Sequence, residues 1–408
     1  MLFKKVIFSY GKKRYSDASI IDGFQFIKDH SCGIICMVND IIKLKEIAWH
    51  YNEFVRSLEL SSPDTETFHY GPLFGVDRPA FIDIVNSFRV LNTLIVDSGK
   101  IYINDVKNSN ITTLVIGKHR GALEFGNHFR SFEKLDTIVY SKSVNDRKSL
   151  DGASFSNIPN LVSLSLLGNF ATGIINVNKK YLPKLQDLEI SGQAIKTLDA
   201  SCLDLPKLRW LSICDNPFLS HVSNLHKLSK LEWLQICQSA LDTLNLVNSP
   251  GVKVLQLCDC QFKKIPQCVR KFENLITLDL TKNYISSIDK GLSKCSKLEY
   301  LSLSYNNINN IENLTLPNLR ELDLSHNQIK TICELHDLGS LTKLNLAKNQ
   351  IIDIHNAKPL PNLKKLTLAD CHYVTTRVTT ELDDSPYDFL KDIFDFEKFK
   401  IIKVKDRK

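Results

Sequence analysis

Five segments between Leu275 and Cys371 repeat in register: LITLDLTKN from Leu275, LEYLSLSYN from Leu298, LRELDLSHN from Leu319, LTKLNLAKN from Leu341 and LKKLTLADC from Leu363. Each reads L-x-x-L-x-L-x-x-N, with Cys371 in the last place of the fifth. Their starts lie 23, 21, 22 and 22 residues apart. Four carry an I-x-x-I pair behind the Asn: Ile285/Ile288, Ile308/Ile311, Ile329/Ile332 and Ile351/Ile354. Such a period excludes one central globular core. Each unit is too small to bury its own leucines, so neighbouring units must stack. Leucines at positions 1, 4 and 6 face inward, each worth roughly 1.5–3 kcal/mol against exposure. Alternation along the strand sends positions 3 and 5 outward.

The pattern is identified as that of the leucine-rich repeat family. The resemblance implies an α/β fold: a leucine-rich repeat solenoid, curved as a horseshoe, with a parallel concave β-sheet and short helical, 3₁₀ or irregular convex segments. The I-x-x-I segments resemble the 22-residue intracellular subtype. The regular C-terminal half is similar to the type-1 phosphatase regulatory subunits, a likeness that implies partner binding on the concave face and transfers no particular partner. In the family the position-9 Asn turns inward, where its amide satisfies backbone groups that no strand reaches. Asn169, Asn216, Asn283, Asn306, Asn327 and Asn349 occupy that place. Gln193, Ser239, Cys260 and Cys371 depart from it, and the ladder is expected to be weaker there.

Regular starts extend back through Val252, Leu231, Leu208 and Leu185 to Leu161, giving regular repeats over 161–374. Residues 55–160 hold degenerate repeats at Val55, Leu91, Ile111 and Leu135, with an irregular excursion around Pro63, Pro72 and Pro79. Residues 1–54 do not fit the repeat. Mixed apolar spacing there predicts a helical cap or a small adaptor segment. The run from Ile41 to Leu60, with Trp49 before Val55, also resembles the junction of an F-box with a repeat array, without the expected Leu-Pro start. Residues 375–408 read as a loop followed by a C-terminal cap and tail, with Tyr387, Leu390, Ile393 and Phe394 at helical spacing.

The formal charge of +7 is modest for 408 residues, and the basic clusters at Lys4–Arg14 and Lys398–Lys408 are too thin for a nucleic-acid stripe. Lysines interrupt the N-terminal apolar residues where a secretory signal needs an unbroken run. No apolar run reaches membrane-spanning length. Eleven cysteines, an odd number without C-x-x-C pairs or cysteine-rich caps, favour a reducing compartment. The expectation is a cytoplasmic or nuclear protein, with neither nucleic acid nor membrane among its partners.

The outward positions outline a candidate protein-binding surface: Asp187, Glu189, Trp210, Ser212, Trp233, Gln235, Gln256, Asp279, Tyr300, Tyr305 and Asp323. Outward Trp and Tyr flanked by carboxylates have the composition of an interface hot spot. Further along, Lys343, Lys348 and Lys365 turn the stripe basic. Cys214, Cys237 and Cys258 share position 7 in consecutive units, a line that does not converge on one metal ion and that suits small-residue packing. His326, Asp323, Ser302 and Ser304 lie close by register, but an open sheet supplies no oxyanion hole or dry pocket. No enzyme, cofactor or metal is therefore expected. The sequence predicts a scaffold, adaptor or regulatory subunit. A ubiquitin-ligase substrate adaptor and a secreted host-targeting effector stand as alternatives.

Overall fold

In the computed structural model the chain forms two compact units, Met1–Gln193 with Cys202–Lys207, and Ala194–Ser201 with Leu208–Lys408. The structure describes residues 7–9, 34–38, 55–60, 83–96, 106–117, 132–141, 155–168, 179–244, 251–351 and 360–371, apart from single positions or pairs within these ranges. The expected C-terminal cap, the proline-containing excursion, most of 1–54 and Asn169 lie outside the described residues.

The first unit contains β1 (Ile7–Ser9), β2 (Ile34–Val38), β3 (Val55–Leu60), β4 (Thr93–Val96), β5 (Thr113–Ile116), β6 (Thr137–Ser141), β7 (Ser163–Leu167) and β8 (Asp187–Ser191). Each strand pairs in parallel with the next. From β3 onward one apolar residue per strand stands in register: Leu58, Leu94, Leu114, Ile138, Leu164 and Leu188. All six are fully buried. The stretch read as a helical cap contributes β1 and β2, so the parallel ladder extends before Val55.

The second unit contains β9 (Thr197–Asp199), β10 (Trp210–Asn216), β11 (His221–Ser223), β12 (Trp233–Ser239), β13 (Val254–Gln256), β14 (Thr277–Asp279), β15 (Tyr300–Ser302), β16 (Glu321–Asp323), β17 (Lys343–Asn345) and β18 (Lys365–Thr367). Strands β10 and β12 to β18 pair in that order, all parallel. Their position-4 leucines, Leu211, Leu234, Leu255, Leu278, Leu301, Leu322, Leu344 and Leu366, form one buried column. Every start read from Leu91 to Leu363 lies two residues before a strand. This agreement has a simple cause. A strand displaced by one residue would turn its whole leucine set outward.

Away from this sheet, 3₁₀ turns occupy Leu225–Lys227, Gln267–Lys271 and Lys290–Lys294. β9 and β11 form a second, two-stranded parallel sheet that the repeat pattern does not announce. Each of these short strands buries one residue, Leu198 or Val222, between exposed neighbours. Those residues follow Ile195 and Leu219 by three positions, as the second isoleucine follows the first in the later I-x-x-I pairs.

The asparagine ladder is built as the repeat requires. Asn306 donates to the carbonyls of Leu280, Leu303 and Ser304 at 2.9, 3.0 and 3.2 Å, and accepts from Ile285 N–H at 2.9 Å. Asn283, Asn327 and Asn349 make the same four bonds in their own coils. Cys260 and Cys371 keep part of this arrangement, their thiols donating to Ile236 O at 3.4 Å and Leu346 O at 3.1 Å. A thiol is a weak donor and replaces none of the acceptor role.

Position 8 is where the chain leaves the strand, and its backbone is left-handed in coil after coil. Asp215, Gln238, Asp259, Lys282, Tyr305, His326 and Lys348 all have φ between 52° and 56°, and glycine holds the place at Gly168 and Gly192. The repeat imposes this conformation on side chains that pay a steric penalty for it.

Candidate functional site

In the second unit, register places Trp210, Trp233, Val254, Thr277, Tyr300, Glu321, Lys343 and Lys365 in one outward row. Beside it runs a second row: Ser212, Gln235, Gln256, Asp279, Ser302, Asp323, Asn345 and Thr367. These rows bring together eight of the residues expected to form the surface, Trp210, Ser212, Trp233, Gln235, Gln256, Asp279, Tyr300 and Asp323, and Tyr305 follows three residues after β15. Asp187 and Glu189 lie on β8 of the first unit, half-buried opposite Ser163 and Ser165.

Exposure is uneven among them. Trp233 is 38% exposed and Tyr305 47%, whereas Trp210 and Tyr300 are half-buried. Ser212 departs from expectation. It faces outward by register yet is 2% exposed, with its hydroxyl 3.4 Å from Gln235 Oε1 and 3.5 Å from Cys214 Sγ. A serine between longer side chains at strand spacing is covered by them, so Ser212 is a floor to the surface and offers no contact. Ser302 is buried in the same way, 2.8 Å from Thr281 Oγ1.

Two expected binding carboxylates have a local task. Asp279 Oδ1 accepts from the backbone N–H and hydroxyl of Thr281 at 3.0 and 2.6 Å. Asp323 Oδ1 accepts from Ser325 N–H at 2.9 Å. Asn345 does the same for Ala347 N–H at 3.2 Å. These are Asx turns, which guide the chain out of the strand. Because an amide serves as well as a carboxylate at Asn345, the turn does not require the charge carried by Asp279 and Asp323.

That charge is felt at Tyr300. Partial burial first, then the field of Asp279, with smaller contributions from Asp323 and Glu321, raises its phenol above the usual value, against an opposing hydrogen bond with Ser302. Tyr305 stacks on His326 with ring centroids 3.7 Å apart and planes 14° apart. At the edge of the rows, Glu232 bridges Arg209 and Lys253 at 3.0 Å each, and Glu321 pairs with Lys343. These exposed pairs hold side chains in place more than they stabilise the fold.

Cys214 and Cys237 face each other in register. Hydrogen bonding with Cys237 and then burial push the Cys214 thiol far up. For Cys237 a bond from Cys214 pulls downward, but Cys258 and burial outweigh it and bring the thiol up to about 12. Both are protonated at neutral pH, hence poor nucleophiles and poor metal ligands. No group of residues suited to a metal ion occurs among the described residues.

Sequence reasoning overlooked a second outward surface, in the first unit. Its position-3 row is Ser57, Thr93, Thr113, Thr137 and Ser163, all hydroxyl-bearing, and its position-5 row includes Ile95, Val115 and Val139. The signal was present in the degenerate repeats. It is only visible once the register aligns strands whose spacing varies.

Comparison with known proteins locates the fold. The family description "Leucine rich repeat" matches residues 250–308, and "Leucine Rich repeats (2 copies)" matches residues 296–335. The volume-regulated anion channel subunit LRRC8E of Xenopus laevis is 38% identical over 85 residues, 20% of this chain and 10% of that protein. Protein NUD1 of Saccharomyces cerevisiae is 36% identical over 67 residues, 16% of this chain and 8% of that protein. The similarity to these curated relatives thus spans a tenth of their length or less. A leucine-rich repeat protein of Leptospira interrogans superimposes with a TM-score of 0.59 at 21% identity, covering 82% of this chain and 88% of its own. The TLR13–ssRNA13 complex gives the same TM-score at 19% identity, covering 91% of this chain and 54% of the other. Among the described residues no helix is long and apolar enough to cross a membrane. Residues 250–335 thus carry leucine-rich repeats, and the parallel ladder has the fold of a leucine-rich repeat solenoid.

Proposed function

We propose that the chain is a protein-interaction scaffold whose outward sheet face in the second unit, from β10 to β16, binds a protein partner. Leucine-rich repeat solenoids are ordinarily non-enzymatic binding scaffolds, and the reading begins there. The observation that carries it is the pair Trp210 and Trp233, in register on adjacent strands with Trp233 38% exposed. Inward leucines already fill the core of these coils, so packing does not call for a tryptophan on the outside. Exposed Trp beside Gln235 and Gln256 combines large apolar area with adaptable hydrogen bonding, the usual make-up of a hot spot and its surroundings. Ser302 is buried and bonded to Thr281, and His326 lies against Tyr305, so these residues support the binding face.

We place the protein in a reducing compartment, cytoplasmic or nuclear, where its thiols would remain reduced. The odd cysteine count, without C-x-x-C pairs, supports this placement. A regulatory-subunit or adaptor role follows from the binding reading and from the likeness to phosphatase regulatory subunits. The ubiquitin-ligase alternative rests on the run from Ile41 to Leu60, of which Val55–Leu60 forms β3 and residues 41–54 lie outside those described. The test is affinity capture by the full chain, compared with a Trp210→Ala/Trp233→Ala double variant whose fold is verified by circular dichroism. A partner identified with the wild type is expected to be lost by the folded double variant. Retention of every partner would refute the assignment of this face.

A further inference from the structure

The outward positions of the second unit segregate charge against the trend of the chain. Across positions 3, 5 and 8 of the coils from Leu208 to Leu319 there are five carboxylates, Asp215, Asp259, Asp279, Glu321 and Asp323, and one lysine, Lys282. This face is acidic in a protein whose formal net charge is +7. At its β12 end stands exposed Trp233, with half-buried Val254 adjoining it in register, and exposed Tyr305 follows β15. Its strand carboxylates lie two strands on, at Asp279, and four strands on, at Glu321 and Asp323. Asp279 and Asp323 flank Ser302 in register, and Tyr300 stands beside them on β15. Burial first, and then the charges of these same carboxylates, raise the Tyr300 phenol.

Resting on the binding role proposed above, we infer that the occupant of this face is an extended segment of another protein, with an apolar side chain on Trp233 and Val254 and a basic residue over Ser302 between Asp279 and Asp323. The buried serine gives the slot a low floor, and the two aspartates form its walls. Each aspartate commits Oδ1 to its own turn, which leaves Oδ2 to face an incoming cation. A guanidinium suits this place because its planar fork reaches two carboxylates and also stacks on an aromatic ring. The spacing follows from the sheet. Two to three strand steps at about 4.8 Å amount to roughly 10–14 Å. An extended chain crosses that distance in about three or four residues. The segment therefore runs across the strands as apolar-x₂₋₃-basic.

Asp279→Asn/Asp323→Asn separates charge from structure, because Asn345 already makes the same turn with an amide. The full chain is used to select binders from a displayed library of random 12-residue peptides. Selected sequences are then synthesised, and their Kd values for wild type and variants are measured by fluorescence polarisation. The expected result is enrichment of an apolar residue followed at that spacing by Arg or Lys. Affinity should fall about ten-fold in the double Asn variant, fall with added salt, and survive Asp242→Asn, a charge removed away from the strands. Peptides that need Trp233 but carry no basic residue, or that bind the double Asn variant as tightly as wild type, would overturn the inference and leave the binding role intact. If no selected peptide depends on Trp233, both fall.

Discussion

Replacing Asn306 with alanine tests the physical account of the repeat at one buried residue. The residue is 5% exposed and makes four bonds to backbone groups of its own coil and the one before it. Alanine leaves Ile285 N–H without its acceptor in a dry interior, which costs about 1–3 kcal/mol. The three carbonyls lose a shared donor, adding about 1–2 kcal/mol at about 0.5–1.5 kcal/mol per net bond, allowing for partial relaxation. A total of about 3 kcal/mol corresponds to roughly a hundred-fold faster opening of the local structure. Hydrogen exchange followed by mass spectrometry on peptides spanning 280–310 reads this directly. The amide of Ile285 should lose protection by about two orders of magnitude, while peptides from the first unit exchange as before. Asn306→Cys should fall between wild type and alanine, because Cys260 and Cys371 show that a thiol in this place keeps one donor bond. Less than a five-fold effect in the alanine variant, or a cysteine variant no better than alanine, would refute the reasoning that amide bonds hold adjacent coils together.

Three further outcomes are expected. Lys348→Gly should raise stability by about 0.5–1 kcal/mol, because glycine relieves the left-handed φ of 56° at slight cost in chain entropy. Gly192→Ala should lower it by about 2 kcal/mol, since φ is +69° and the new Cβ would meet Gly168 backbone at 3.2 Å; thermal unfolding compares both with wild type. The Tyr300 phenol is held above its usual value of 10, so its contribution to stability is complete below that pH and lost as pH rises through the raised value. Tyr300→Phe should accordingly lose less Tm than wild type between pH 8 and 11, and equal losses would contradict the acidic surroundings assigned to it. Among the described cysteines, exposed Cys202 should be alkylated first at pH 8, whereas Cys214 and Cys237, with raised thiol values, should lag by at least ten-fold in mass-spectrometric labelling.

The sequence by itself determined the solenoid, the strands that follow each repeat start from Leu91 to Leu363, and the inward asparagines. Each is a local rule repeated many times: period-2 alternation fixes which side chains turn inward, and a roughly 22-residue unit that cannot bury its own leucines must stack. Leu278 and Asn306 are therefore legible from a single coil. Tertiary structure decided what depends on neighbours from other coils. Ser212 is outward by alternation, yet it is buried, with its hydroxyl beside Gln235 and Cys214. Asp279 and Asp323 read as surface charges, yet each closes a turn through its Oδ1. The hydroxyl and aliphatic rows of the first unit become continuous only when register joins repeats of unequal length. The strands β1 and β2 show the same limit. Three to five residues inside a stretch without the leucine pattern carry too little signal to be named strands alone, and pairing with a formed sheet supplies the missing free energy.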